Sequence, residues 1–335
     1  RRTMATITLR VSGDRAKHSE EFAVADLSAA LDAAEGLAWI DIRNPAQEER
    51  DWLISRDYNE MAVEDCFKEP VPKAYVYDTH RFVVVRPRDA DRDIDTEFLR
   101  VFVTDDLLVT VRHSAMPAVK NFSRRFGSRK IQRRVELGAE YLLYEMLDAV
   151  ADDWYRILGG YSERIDELED RVFDPNVKHP DLLQELHELK QDLREISKSV
   201  TPLHDVVSRM MRPDQDYITE SCMMYWEDIF DVLTKLKNDV ENYNYGAVST
   251  REAYLSQSTM RLAETQAEAN DVIRILTILA TLMFPITAIA SIFGMNIEVF
   301  GASTEMFGFT EILVLMGMMS ALILGFFYYR GWLSR

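Results

Sequence analysis

Three sets of residues have the types and spacings that chemistry needs. Gly294-Met295-Asn296 follows nineteen uncharged residues, 275–293. A glycine lets a helix end open its carbonyls, and Asn296 adds an amide oxygen, so the pair offers acceptors to the water shell of a cation. The same two residues also make an ordinary helix C-cap. The second set is Asn270, Ile273, Thr277, Ala280, Phe284, Thr287 and Ser291. Its three- and four-residue steps put it on one helix face. Ile273, with Leu276 beside it, and Phe284 have the size of apolar constrictions that close a passage by dewetting, or of plain packing between helices. The third set is acidic: Asp89, Asp91, Asp93 and Asp95 in the run RDADRDIDTE, and Asp228 and Asp231 further on. Such carboxylates suit a hard divalent cation held between chains, or a solvated loop.

Other chemistry is poorly provided for. The histidines (His18, His80, His113, His179, His187, His204) lie outside the uncharged runs, without paired metal-ligand spacing. Cys66 and Cys222 are far apart, so neither a thiolate zinc cluster nor a disulfide framework organises the chain. Glu64 with Asp65, and Glu140 with Glu145, have no nucleophile–base pair or phosphate loop beside them, and no enzyme is expected. The net charge is −17, from 39 basic and 56 acidic residues. A nucleic-acid partner, which requires a basic surface, is excluded, and a cationic partner is favoured. The basic run from Arg124 and Arg125 through Arg129 and Lys130 to Arg133 and Arg134 reads as a solvated helix face balancing nearby acid. No apolar signal core follows Arg1-Arg2, so export of the N-terminus is not expected.

The elements that must position these residues are membrane spans and long helices. Residues 275–293 and 312–329 are both uncharged, close to the ~20 residues that a spanning helix requires. The first span is placed at about 272–294 and the second at 312–330. Arg274, Arg330 and Arg335 flank the pair, whereas the loop 295–311 carries Glu298, Glu305 and Glu311 without Lys or Arg. The positive-inside bias therefore sets both termini in the cytoplasm and the loop outside, in the cell (inner) membrane. Glu298 and Glu305 would attract ions there. Gly317, Ala321 and Gly325 make a small-residue face suited to close helix approach, and Tyr328, Tyr329 and Trp332 form an interfacial aromatic belt. Pro285 frees a carbonyl inside the first span, for which Thr281 or a neighbouring helix is the expected partner.

Residues 1–134 mix strand-like and helix-like runs and are expected to form an α/β domain. A hairpin is predicted around Thr104-Asp105-Asp106. Residues 135–216 read as a helical hairpin region, with helices over 138–172, kinked at Gly159-Gly160, and 181–211, bent at Pro202. Leu182, Leu186, Leu189, Leu193, Ile196, Val200 and Leu203 form a heptad stripe between charged positions. A stalk helix is expected over 217–293, on the order of 115 Å long, followed by the loop, the second span and a cytosolic tail, 331–335.

Gly-Met-Asn at the outer end of a membrane helix, before a short acidic loop and a final span, resembles the signature of the CorA family of divalent-cation channels. Further likenesses are Trp39, Asp41 and Pro45; Glu64, Asp65, Pro72 and Lys73; Leu168-Glu169-Asp170; Asn270, Arg274, Leu276 and Thr277; and Pro285. The resemblance implies a homopentameric funnel in the lipid bilayer, its pore lined by the first span and its filter made by Gly294, Met295 and Asn296. It implies a divalent cation as substrate and regulator, with inter-subunit regulatory sites near Asp89 and Asp228. Ile297-Glu298-Val299-Phe300-Gly301 stands where the family has Met-Pro-Glu-Leu, and Phe293 replaces a common Tyr. Met295 favours magnesium, with cobalt or nickel, over the proton-coupled zinc uptake of the ZntB-like branch. A two-span membrane-anchored coiled-coil adaptor or receptor is the other alternative.

Overall fold

The computed structural model describes residues 6–11, 18–21, 23–34, 36–90, 94–174, 181–214, 217–294 and 309–332. It divides into two units, residues 1–252 and 253–335.

The first unit is built on a mixed sheet. Among the described residues its strands are β1 (Thr6–Val11), β2 (His18–Glu21), β3 (Ala38–Arg43), β4 (Lys73–Val76), β5 (Arg81–Val85), β6 (Leu99–Val103) and β7 (Leu107–Arg112), in the order β2-β1-β3-β7-β6-β5-β4. The runs rich in Val, Ile and aromatics form these strands, as β-branched side chains favour. The β6–β7 hairpin turns at Thr104-Asp105-Asp106, where Thr104 N–H donates to Leu107 O at 2.9 Å. Only β3 and β7 pair in parallel. Both are buried on each face, as a parallel pair requires.

Helices cover both faces. On one, α1 (Val24–Asp32), α2 (Gln47–Ser55) and α3 (Glu60–Glu64) bring Leu27, Trp52, Leu53, Ala62 and Val63 onto Ile7, Ile40, Ile42, Phe82, Phe102 and Val109. On the other lies α4 (Pro117–Phe126), whose Phe122 meets Trp39 edge-on with ring centroids 4.8 Å apart. A short helix α5 (Arg129–Gln132) leads on to α6 (Gly138–Phe173). Gly138 sits at φ 70, and a Cβ there would come 2.8 Å from Asp105 O, so only glycine lets α6 begin against the hairpin turn.

α6 runs unbroken through Gly159-Gly160, and α7 (Leu182–Met210) continues through Pro202. The expected heptad stripe of α7, Leu182 to Leu203, is buried. The third long helix, α8, spans Met223–Gly294, 72 residues. It starts six residues later than the sequence suggests, because tertiary contacts set its entry. Tyr217 is buried, and the Thr219 N–H donates to the Glu140 carboxylate at 3.1 Å. Within the first unit α8 buries Trp226, Ile229, Leu233, Leu236, Val240, Ala247 and Thr250.

The second unit holds the rest of α8 and α9 (Phe309–Tyr329). Both helices are long and apolar enough to cross a membrane, and their most apolar stretches are 0% and 6% buried within the chain. Each has one partly covered stripe: positions 274, 278, 282, 285, 286, 288 and 289 of α8, and positions 312, 316, 320 and 323, with buried Phe327, of α9. Gly317 and Gly325 face open space.

Candidate ion pathway

Asn270, Ile273, Leu276, Thr277, Ala280, Phe284, Thr287 and Ser291 all fall on α8 and are all exposed within the chain. At 100° per residue, their stripe lies about 150° around the axis from the stripe that the second unit partly covers. The face predicted to line a passage is among those that this chain leaves free, together with Val272, Ile275, Leu279 and Met283. Ile273, Leu276 and Phe284 are 58%, 66% and 77% exposed, too much apolar surface to stay in water.

The hydroxyls of this helix are satisfied locally. Thr277 Oγ1 donates to Ile273 O at 2.7 Å, Thr281 Oγ1 to Thr277 O at 2.7 Å and Thr287 Oγ1 to Met283 O at 2.8 Å. A hydroxyl that donates backwards keeps its lone pairs as acceptors toward a cation's water. The same geometry corrects one expectation. Pro285 frees the carbonyl of Thr281 itself, and the Thr281 hydroxyl is turned toward Thr277 instead, so Thr281 is not the partner. The Asn270 amide accepts from Gln266 Nε2 at 3.1 Å, which fixes its orientation near the start of the apolar stretch.

Gly294 is the last residue of α8. Met295, Asn296, Glu298 and Glu305 lie outside the described residues, as do Asp91 and Asp93. Asp89 and Asp95 are described: the Asp89 N–H donates to Asp95 O at 2.8 Å, and Arg88 bridges to Thr96, so the two ends of the acidic run are held together. Arg88 Nε donates to Asp153 at 3.0 Å and anchors that loop to α6. Asp228 and Asp231 are exposed on the first turns of α8, and Tyr144 Oη donates to Asp228 at 3.5 Å. Among the described residues no group of three or more His, Cys, Asp or Glu is placed to hold a metal ion.

The remaining carboxylate pairs are structural. Glu140 accepts from Trp226 Nε1 at 3.2 Å and Arg81 at 3.1 Å, besides Thr219. Glu145 accepts from Tyr141 Oη at 2.5 Å and pairs with Lys130 at 2.7 Å. Arg125 pairs with Asp148 at 2.6 Å and with Asp152. Burial, and then the nearby charge of Asp152, push the Asp148 carboxyl above its usual range, against Arg125. The basic run thus neutralises the acidic face of α6. Apart from Tyr141 and Glu145, four residues apart on α6, these partners lie 15 to 86 residues apart, beyond the reach of local sequence patterns.

The family described as CorA-like Mg2+ transporter protein matches residues 34–330. The Cobalt/magnesium transport protein CorA of Thermotoga maritima is 27% identical over 266 residues, 78% of this chain and 73% of that protein. The Zinc transport protein ZntB of Yersinia pestis is 23% identical over 213 residues, 63% of this chain and 61% of that protein. In fold, the chain is similar to the complete CorA magnesium transporter of Methanocaldococcus jannaschii, with a TM-score of 0.67 at 20% identity over 99% of each chain. An α/β domain, a long helix and two apolar C-terminal helices, matched from residue 34 to residue 330, place the chain in the CorA-like Mg2+ transporter family of membrane proteins that carry divalent metal ions.

Proposed function

We propose that five copies of this chain form a channel that passes hydrated magnesium into the cell. The observation that carries this reading is the bare face of α8. Asn270, Thr277, Thr287 and Ser291 are polar residues on an exposed stripe of an otherwise apolar span, and in a membrane such a stripe must face water or another copy. Cobalt and nickel, whose hydrated ions are similarly sized, follow the same path. Magnesium holds its waters tightly, so a filter of outer-sphere acceptors costs less than one that strips the ion. Asn296 supplies the acceptor ring at the outer mouth, Gly294 shapes the turn and Met295 packs behind it. Glu298 and Glu305 raise the local cation concentration.

An inside-negative potential of about 100 mV contributes about 4.6 kcal/mol for a divalent ion, so no ATP is needed. Closure has to be regulated by the same ion. Five chains at −17 carry a formal −85, a repulsion that divalent ions between subunits relieve. The run from Asp89 to Asp95, with Asp91 and Asp93, facing Asp228 or Asp231 of a neighbour, is the proposed sensor. Ile273, Leu276 and Phe284 are the dewetting rings that close. The same charge pattern sets both termini in the cytoplasm.

Similarity to a ZntB protein favours a second reading, proton-coupled zinc uptake. Flux of magnesium, cobalt, nickel and zinc into vesicles holding the purified chain, with and without a pH gradient, separates the two. Magnesium flux that ignores the pH gradient supports the channel. Zinc flux that requires the gradient contradicts it.

A further inference from the structure

The first unit contains a cationic crevice that the ion pathway does not use. β3 and β7 run parallel, and the helices that follow them diverge: α2 packs on the face of Ile40 and Ile42, α4 on the face of Trp39. In an open α/β sheet, that divergence opens a ligand crevice at the carboxyl ends of the two strands. A cavity of about 470 Å³ lies there, within the range of small-molecule sites.

Its lining is strongly basic. Arg10 of β1, Arg43 of β3, Arg112 of β7 and Lys120 of α4 line it, against Asp41 as the carboxylate. Asp41 is already committed. Arg112 donates to its two oxygens at 3.0 and 2.7 Å, and Thr110 Oγ1 donates at 2.8 Å. Arg10 lies over the Trp39 ring at 5.5 Å and donates to Ser123 O. The side chains of Arg43 and Lys120 make no ion pair among the described residues, and Nε of Arg10 and of Arg43 is buried without an acceptor. Burial holds the Arg10 guanidinium below its usual value, against the charge of Asp41. Arg10 and Arg43 are half-buried beside a single carboxylate that Arg112 already holds, with Lys120 exposed at the edge, and half-buried cations without a partner are costly unless an anion joins them.

We propose that this crevice binds a small phosphate-bearing anion. Guanidinium forks match phosphate oxygens, and Lys120 adds a point charge. Met116 and Pro117, where α4 begins, stand at the rim, so the helix end adds its own attraction for negative charge. Trp39 and Asp41 build this site. Trp39 supports Arg10, and Asp41 holds Arg112 in place.

Isothermal titration calorimetry of the full chain in detergent, without magnesium, tests this with inorganic phosphate and pyrophosphate against chloride at equal ionic strength. The expected result is saturable binding at one site per chain, several-fold tighter for pyrophosphate. Arg43→Gln with Lys120→Gln should weaken it at least tenfold and leave the melting temperature unchanged, since neither side chain pairs within the fold. Arg124→Gln, exposed and outside the crevice, should change nothing. Absence of saturable pyrophosphate heat, or equal affinity in the parent and the double variant, overturns the proposal. Conduction does not enter this measurement, so its outcome stands apart from that of the channel reading.

Discussion

At the scale of single residues, the surroundings of a few buried polar groups make their loss measurable. Asp41 is 7% exposed and depends on Arg112. Arg112→Ala leaves its charge uncompensated and should destabilise the first unit by about 3–5 kcal/mol in chemical denaturation. Arg112→Ala together with Asp41→Ala should cost less than that single change. His80 is 4% exposed, stacked on Tyr77 and edge-on to Tyr58. Burial holds its imidazole below the usual value, against Asp57. A depressed base takes up its proton more readily in the unfolded chain, so its contribution is present above pH about 6.5 and lost as pH falls below it. Melting curves from pH 7.5 to 5 should show this loss, and His80→Gln should flatten that slope. At the filter, Asn296→Ala should reduce magnesium flux at least tenfold; wild-type flux in that variant would remove Asn296 from its role.

At the scale of elements, periodicity was the strongest guide. The heptad stripe of α7 is buried, and Leu189→Ala should cost about 2–5 kcal/mol with most of the helix content retained in circular dichroism. The strands and the β6–β7 hairpin were legible because β-branched runs flank polar turn residues. Other features were not. Strand β2 has the sequence His-Ser-Glu-Glu, polar throughout, and is an edge strand defined only by pairing with β1. α1 was missed for want of a long periodic run, and of α4 only the basic end at Arg124 and Arg125 was legible as a helix face. α6 and α7 continue as helices through Gly159-Gly160 and Pro202, which a kink or bend at those positions allows. The start of α8 depends on Glu140, which no local signal around residue 217 reveals. Of the candidate pathway, the exposed stripe of α8 was legible from three- and four-residue spacing alone. The cationic crevice was not, since its four basic residues come from positions 10 to 120 and only the sheet brings them together.

At the scale of the whole molecule, charge and coverage make the testable statements. Assembly at a formal −17 per chain should depend on divalent ions. Removing magnesium should speed proteolysis of the first unit, and Asp89→Asn with Asp228→Asn should abolish the protection that magnesium gives. Protection unchanged in that variant would exclude these aspartates as the sensor. The channel reading stands or falls on which face of α8 meets the ions. Cys66 and Cys222 are both buried, and burial pushes the Cys66 thiol up to about 12, so introduced thiols are read against a quiet background. The direct measurement is magnesium flux in vesicles carrying Thr287→Cys or Ile289→Cys, before and after a charged, membrane-impermeant thiol reagent. Thr287 lies on the bare stripe and Ile289 on the partly covered one. Block of Thr287→Cys with Ile289→Cys untouched is the predicted result; block at Ile289→Cys alone, or at neither position despite labelling, would contradict a pore lined by that stripe.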